Sequence, residues 1–138
     1  MKILTNKPIA IDSPDHIKPW GTMRDNHSNI GFVEEIENYF NNKKIHFLDL
    51  GCSGGKLVED FFDRGHLAIG LEGSDYSAKI GRACWGEGYN KYLFTCDCSE
   101  EYFIVDEQEE KILFDCITAW EVIEHIHPDK LNNFFKNI

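Results

Sequence analysis

Asp49-Leu50-Gly51-Cys52-Ser53-Gly54-Gly55 closes a short apolar run that starts at Ile45, and it leads directly into Lys56 to Arg64, where apolar residues recur at helical spacing. The run is rich in strand formers. The segment after it turns Leu57, Val58, Phe61 and Phe62 to one side and stops at Gly65. Glycines between a strand and a helix let the backbone turn tightly and approach a ligand closely, and the helix start presents free N–H groups. Downstream the same alternation continues. Leu67 to Leu71 is predicted as a second strand, Asp75 to Cys84 as a helix capped by Ser74 and weakened by Gly81, Tyr92 to Cys96 as a third strand, and Phe114 to Ala119 as a fourth. Upstream, a helix opened by Ser28 or Asn29 sets Phe32, Val33, Ile36, Tyr39 and Phe40 against Glu34, Glu35 and Glu37, and Asn41-Asn42-Lys43-Lys44 ends it. Strands separated by helices imply right-handed crossovers and a three-layer α/β/α fold with a mostly parallel sheet. In such sheets ligands bind beyond the carboxyl ends of the strands.

The rest of the chain bounds the function. Its 138 residues suit one domain, and an apolar share of 42% with 10 Phe, 5 Tyr and 3 Trp is enough for a core. With 14 basic and 24 acidic side chains the net charge is −10, which disfavours a nucleic-acid partner because counterion release needs clustered Lys and Arg. No apolar run approaches the roughly 18 residues of a membrane span. Met1 to Lys7 lacks the apolar stretch of a signal peptide, so a cytoplasmic location is expected. Cys52, Cys84, Cys96, Cys98 and Cys116 are odd in number and sit mostly in strand-like runs, which reads as free buried thiols. Cys96 and Cys98 share a strand face, but zinc usually takes two such pairs, and no metal site is expected. The acidic stretch from Ser99 to Lys111 reads as a solvated face without a site role. Residues 1–28, with Pro8, Pro14 and Pro19, form an irregular arm ahead of a domain over residues 29–138.

The strand ends supply the chemistry. Glu72 follows the second strand, 23 residues after Asp49, where a carboxylate accepts the hydroxyl protons of a ribose. Asp97 follows the third strand, at the height of an adenine edge. Trp120-Glu121-Val122-Ile123-Glu124-His125 follows the fourth. A dinucleotide fingerprint, G-x-G-x-x-G, falls on Gly51, Ser53 and Lys56, so its last two glycines are missing. An NAD-binding dehydrogenase is therefore the weaker reading.

Asp49 to Gly55 resembles the first motif of class I S-adenosylmethionine-dependent methyltransferases, an acid followed by G-x-G-x-G with Ser53 in place of the middle glycine. Gly70-Leu71-Glu72-Gly73-Ser74-Asp75 is similar to the second motif, Cys96-Asp97-Cys98 to the third, and Phe114 to Ile126 to the fourth strand with its E-V-hydrophobic-E-H continuation. The resemblance implies S-adenosylmethionine as cofactor and S-adenosylhomocysteine as product. It places Gly51, Ser53 and Gly55 along the methionine moiety with Asp49 beneath, counts Cys52 of the same loop among the cofactor-binding residues, and puts Glu72 on the ribose hydroxyls. Gly73 and Ser74 would lie near the adenine, with Asp97 and Cys98 at its edge and Trp120 and Glu121 at the methionine end. For a hydroxyl acceptor a base is needed, and His125 is the candidate, with Glu124 as its rival.

The resemblance also implies a seven-stranded sheet in the order 3-2-1-4-5-7-6, of which four strands are recognisable, so the chain reads as the front half of such a domain. An exposed fourth strand, or the apolar stripe of Leu131, Phe134, Phe135 and Ile138 on a helix from Pro128 to Ile138, would then favour a homodimer. Lys18-Pro19-Trp20-Gly21-Thr22 with Arg24-Asp25-Asn26 reads either as a lid over the cofactor or as a strap packing Trp20 on the core. The function implied is methyl transfer to a small molecule such as a sugar or metabolite hydroxyl. The alternative is a cofactor-binding half-domain without turnover.

Overall fold

The structure, a computed structural model, describes residues 1–19, 26–86 and 88–138. Trp20, Gly21, Thr22, Arg24 and Asp25, named above for the lid or strap, lie outside the described residues. The chain runs through β1 (Lys2–Thr5), α1 (Ile30–Tyr39), β2 (His46–Leu50), α2 (Lys56–Asp63), β3 (Leu67–Glu72) and α3 (Tyr76–Ile80). It continues through β4 (Leu93–Thr95), β5 (Tyr102–Val105), β6 (Cys116–Ala119) and α4 (Leu131–Lys136). Short 3-10 turns occupy Ala83–Trp85, Ile123–His125 and Pro128–Lys130.

Four strands form a parallel sheet in the order β4-β3-β2-β6, the arrangement expected for the first four strands of the family. Asp49 is in register with Gly70 on one side and Thr118 on the other, and Glu72 with Thr95. Being central, β2 and β3 alternate apolar residues between two buried faces. Phe47 and Ala68 join Val33, Val58 and Phe61 from α1 and α2, with Phe47 stacked on Phe61 at 3.9 Å. Leu48, Leu50, Ile69 and Leu71 pack on the other face with Tyr102, Ile104 and Phe134.

That second face is where the structure departs from expectation. It is covered by α4 and by an antiparallel pair of β1 with β5, in which Lys2 faces Val105 and Thr5 faces Tyr102. The arm expected to be irregular therefore begins with a strand. The acidic stretch expected to be wholly solvated contains another, with Tyr102, Ile104 and Val105 buried. Charges at either end of that stretch mask four strand-forming residues in its middle.

Asn29 is the N-cap of α1, accepting from the Phe32 amide at 3.2 Å, while the Ser28 hydroxyl donates to Asp60 instead. The helix expected from Asp75 to Cys84 is shorter, because Gly81 takes a left-handed conformation at φ 61° and closes α3 after one turn. Ser74 accepts from the Tyr76 amide at 3.2 Å and donates to the His16 carbonyl at 2.6 Å. The C-terminal helix is divided likewise into a 3-10 turn and α4, with Phe134 buried and Phe135 and Ile138 exposed. No disulfide joins the five cysteines; Cys52, Cys84 and Cys96 are buried and Cys98 and Cys116 half-buried. Among the described residues no helix is long and apolar enough to cross a membrane.

Candidate functional site

The loop between β2 and α2 is built on left-handed residues at alternate positions: Gly51 at φ 72°, Ser53 at φ 51° and Gly55 at φ 89°. It is hung on β3, since the Gly51 and Cys52 amides both donate to the Leu71 carbonyl at 2.8 and 3.0 Å. Two glycines are required by close approach as well as by φ. A Cβ on Gly51 would lie 2.3 Å from Val122 Cγ2, and one on Gly55 would lie 2.8 Å from Leu93 Cδ1. The Trp85 indole N–H donates to the Ser53 carbonyl at 2.9 Å and fixes the crest of the loop.

Glu72, buried at the end of β3, ties this loop to the next. Its Oε2 accepts from the Ser53 amide at 2.9 Å and its Oε1 from the Ser74 amide at 3.0 Å. Burial pushes its carboxyl above the ordinary value, and the amides of Ser74, Ser53 and Gly73 pull it partly back. Asp49 is buried on the neighbouring strand. Desolvation raises it to about 7, against a hydrogen bond from the Thr118 hydroxyl at 2.7 Å, and the charge of Glu72 adds to the rise. Two buried carboxyls thus sit at the strand ends without a lysine or arginine bonded to either among the described residues.

A cleft of about 250 Å³ opens above these strand ends. It is lined by Gly51, Ser53, Glu72, Gly73, Ser74, Asp97, Cys98, Trp120 and Glu121, nine of the twelve residues expected to hold the cofactor, and by His125. Asp49 and Cys52 line an adjoining cleft of about 360 Å³, which shares Gly51, Ser53, Trp120 and Glu121 with the first and is walled by Asn29, Phe32 and Lys56. Gly55 lines neither cleft and faces Leu93 and Cys84 in the core. Glu124 is exposed and lines neither, whereas His125 does. Trp120, 56% exposed, meets the edge of Phe32 at 5.4 Å.

Several lining residues lie outside the set expected to hold the cofactor, Pro19 alone among them having been read as part of a lid. The N-terminal arm contributes Ala10, Asp12, Ser13, Asp15, His16 and Pro19 to the first cleft. It is fastened by the Ala10 amide on the Gly73 carbonyl at 2.8 Å, and by the Ser74 hydroxyl on His16. Lys130 closes the rim, with its ammonium 2.6 Å from Asp12, 2.8 Å from Glu100 and 3.6 Å from Asp97. Hydrogen bonds to Asp12 and Glu100 hold its proton well above the usual lysine range, and Lys130 in turn lowers Asp12. Glu100, at the start of the acidic stretch, thus belongs to the site rim, and Ser99 lines the cleft itself. Asp97 Oδ1 is turned inward, accepting from the Ser99 amide at 3.1 Å and the Ser99 hydroxyl at 2.5 Å. For Ala10 to Asp15 the sequence offers only polar residues around Pro14, which no periodicity distinguishes from a solvated tail.

Comparison with known proteins agrees with this architecture. A family model described as a methyltransferase domain matches residues 23–138. The ubiquinone biosynthesis O-methyltransferase of Idiomarina loihiensis is 32% identical over 100 residues, covering 72% of this chain and 38% of that protein. Its counterpart from Aliivibrio fischeri is 29% identical over 103 residues, covering 75% and 41%. The chain therefore spans about two fifths of the length of these relatives. In fold it is similar to the PH0226 protein from Pyrococcus horikoshii OT3, at a TM-score of 0.55 and 19% identity, over 96% of this chain and 56% of that one. With its family match covering all but the first 22 residues, and its glycine loop and strand-end acids in family order, the chain belongs to the methyltransferase domain family, in the class I S-adenosylmethionine-dependent group.

Proposed function

We propose that this chain holds S-adenosylmethionine across the two adjoining clefts and serves methyl transfer to the hydroxyl of a small molecule. The observation that carries the reading is Glu72: a buried carboxylate bonded to the amides on either side of the cleft, beside a glycine loop whose Cβ positions are filled by neighbours. Each oxygen has a further lone pair for a ribose hydroxyl. Gly73 and Ser74 flank the adenine, with Asp97 and Cys98 at its edge. Gly51 and Ser53 with Cys52 and Asp49 lead toward the second cleft, where the amino end of the methionine finds the Asp49 carboxyl. Trp120 and Glu121, common to both clefts, stand at the sulfonium. Gly55 supports this site from the core, and His125 is the base in preference to Glu124. Bound there, the cofactor supplies a methyl carbon made electrophilic by its sulfonium; the protein aligns the acceptor and takes its proton.

An oxygen acceptor is supported by the O-methyltransferase names of the relatives; a sugar or other metabolite hydroxyl is the class proposed. The same proposal puts the chain in the cytoplasm and places a homodimer contact at the β6 edge or at the exposed Phe135 and Ile138. A second reading is a cofactor-binding half-domain without turnover in this form; the chain spans 38% of the length of the Idiomarina protein.

Titration calorimetry with S-adenosylmethionine and S-adenosylhomocysteine tests the donor site. Binding of both is expected, weakened roughly 10- to 100-fold in Glu72→Ala by loss of charge-assisted hydrogen bonds, and retained in His125→Ala. Absence of binding at about 1 mM rejects both readings. Binding of NAD instead would restore the dehydrogenase alternative.

A further inference from the structure

His125 does not stand alone in the first cleft. Its Nδ1 lies 3.2 Å from Asp15 Oδ2, and the two side chains, 41% and 42% exposed, come from opposite ends of the chain. Asp15 is held from several directions. Its amide donates to the Ser13 hydroxyl at 3.4 Å, the His16 ring bonds the Ser13 carbonyl at 2.7 Å, and the His16 carbonyl accepts from Ser74 at 2.6 Å. Three residues before Asp15, Asp12 is bonded to Lys130 at 2.6 Å. Glu72 lines the same cleft as His125, from the end of β3. The imidazole thus meets Asp15 from the arm, with Glu72, His16 and His127 lining the same cleft and Glu121 and Glu124 in its own segment.

We propose that Asp15 is a positioning residue for His125: by accepting a hydrogen bond at Nδ1 it fixes the proton there and leaves Nε2 as the proton acceptor for the substrate hydroxyl. A carboxylate cannot donate, so a bond at Nδ1 requires the Nδ1–H tautomer, and the free lone pair of the neutral ring then lies on Nε2. This role rests on the methyl-transfer reading above. In that step the acceptor oxygen forms a bond to the methyl carbon as the carbon–sulfur bond breaks. The hydroxyl proton passes to Nε2, the positive charge of the sulfonium reappears on the imidazolium, and the proton then leaves to solvent. Asp15 is the carboxylate in contact with the ring and placed to stabilise that imidazolium, as an orienting acid does in a nucleophile–base–acid triad.

Long-range proton–nitrogen correlation spectra of the histidine rings test this, recorded at about pH 8 where an ordinary imidazole is neutral. The expected result is Nδ1–H for His125 in the unmodified chain, a shift to the Nε2–H form usual in water in Asp15→Ala, and recovery in Asp15→Glu. Asp12→Asn, which breaks the arm's ion pair with Lys130, leaves the tautomer unchanged and separates positioning from fastening. An Nε2–H ring in the unmodified chain, or a tautomer indifferent to Asp15→Ala, overturns the proposal. These spectra need neither cofactor nor turnover. A failure of the donor-site reading shows in the calorimetry with S-adenosylhomocysteine and is therefore distinguishable from a failure of the pair.

Discussion

At the scale of single residues, the glycine loop separates two kinds of requirement that one motif conflates. Ser53 stands at the middle position of G-x-G-x-G and still takes φ 51°, so the loop imposes its left-handed conformation on a residue with a Cβ. Gly51 has both a positive φ and no space, its Cβ position lying 2.3 Å from Val122 Cγ2. Gly51→Ala is therefore expected to cost about 1–3 kcal/mol in urea unfolding, through strain and overpacking together. Ser53→Ala, which keeps an existing Cβ, is expected to change stability by less than about 1 kcal/mol. Equal losses at the two positions would contradict this division. The motif itself was legible in the sequence. The task of Gly55, which packs against Leu93 and Cys84, was not, because a motif records spacing and carries no record of which side of the loop meets the core.

At the scale of elements, the parallel strands and α2 were readable because each places its own apolar residues at the period of its structure. The β1–β5 pair was not, since its register joins residues about a hundred positions apart and each strand alone is four residues long. The C-terminal segment shows the same limit from the other side. Its apolar stripe was visible, yet only Phe134 of α4 is buried, in the cluster that the β2, β3 and β5 side chains form on the second face. A helix this short has little stability of its own, so its anchor carries most of its docking. Phe134→Ala is expected to cost about 3–5 kcal/mol in urea unfolding. Phe135→Ala, which removes an exposed ring in edge contact with Phe134, should cost under about 1 kcal/mol. Early hydrogen exchange of the α4 amides in the first variant alone would confirm that the loss begins there.

For the whole molecule, charge links the fold to the site. Part of the acid excess behind the net charge of −10 lies in the stretch from Ser99 to Lys111, but Asp49, Glu72, Asp97, Asp12 and Asp15 gather at one end of the sheet, with Lys130 as the one lysine bonded to them among the described residues. The partner of that arrangement lies 118 residues away in the case of Asp12, which is why composition could not reveal it. Acids buried with no lysine or arginine bonded to them among the described residues weaken the ligand-free fold and favour a cationic ligand, and Asp49 carries most of this effect. Its carboxyl is raised from 3.8 to about 7, chiefly by burial. Below 3.8 the folded and unfolded chains are both protonated and the contribution to stability is whole. As pH rises toward 7 the unfolded chain releases a proton that the fold retains, so stability falls, and the loss is complete once the folded carboxyl has ionised. Glu72, also raised, acts in the same direction. Glu37 is likewise pushed up by burial, but hydrogen bonds from His66 and Arg64 hold it below its usual 4.5, so it stays ionised in the fold above that value and its contribution fails only in acid. Between about pH 5 and about pH 8 the unmodified, ligand-free chain should therefore lose about 2–3 kcal/mol relative to Asp49→Asn, whose uncharged amide can still accept from Thr118. Urea midpoints of the two proteins at both pH values measure that difference directly. Curves that run parallel would mean that Asp49 already carries its charge in the fold, and the affinity for S-adenosylmethionine would then lose the rise with pH that an ionising Asp49 predicts.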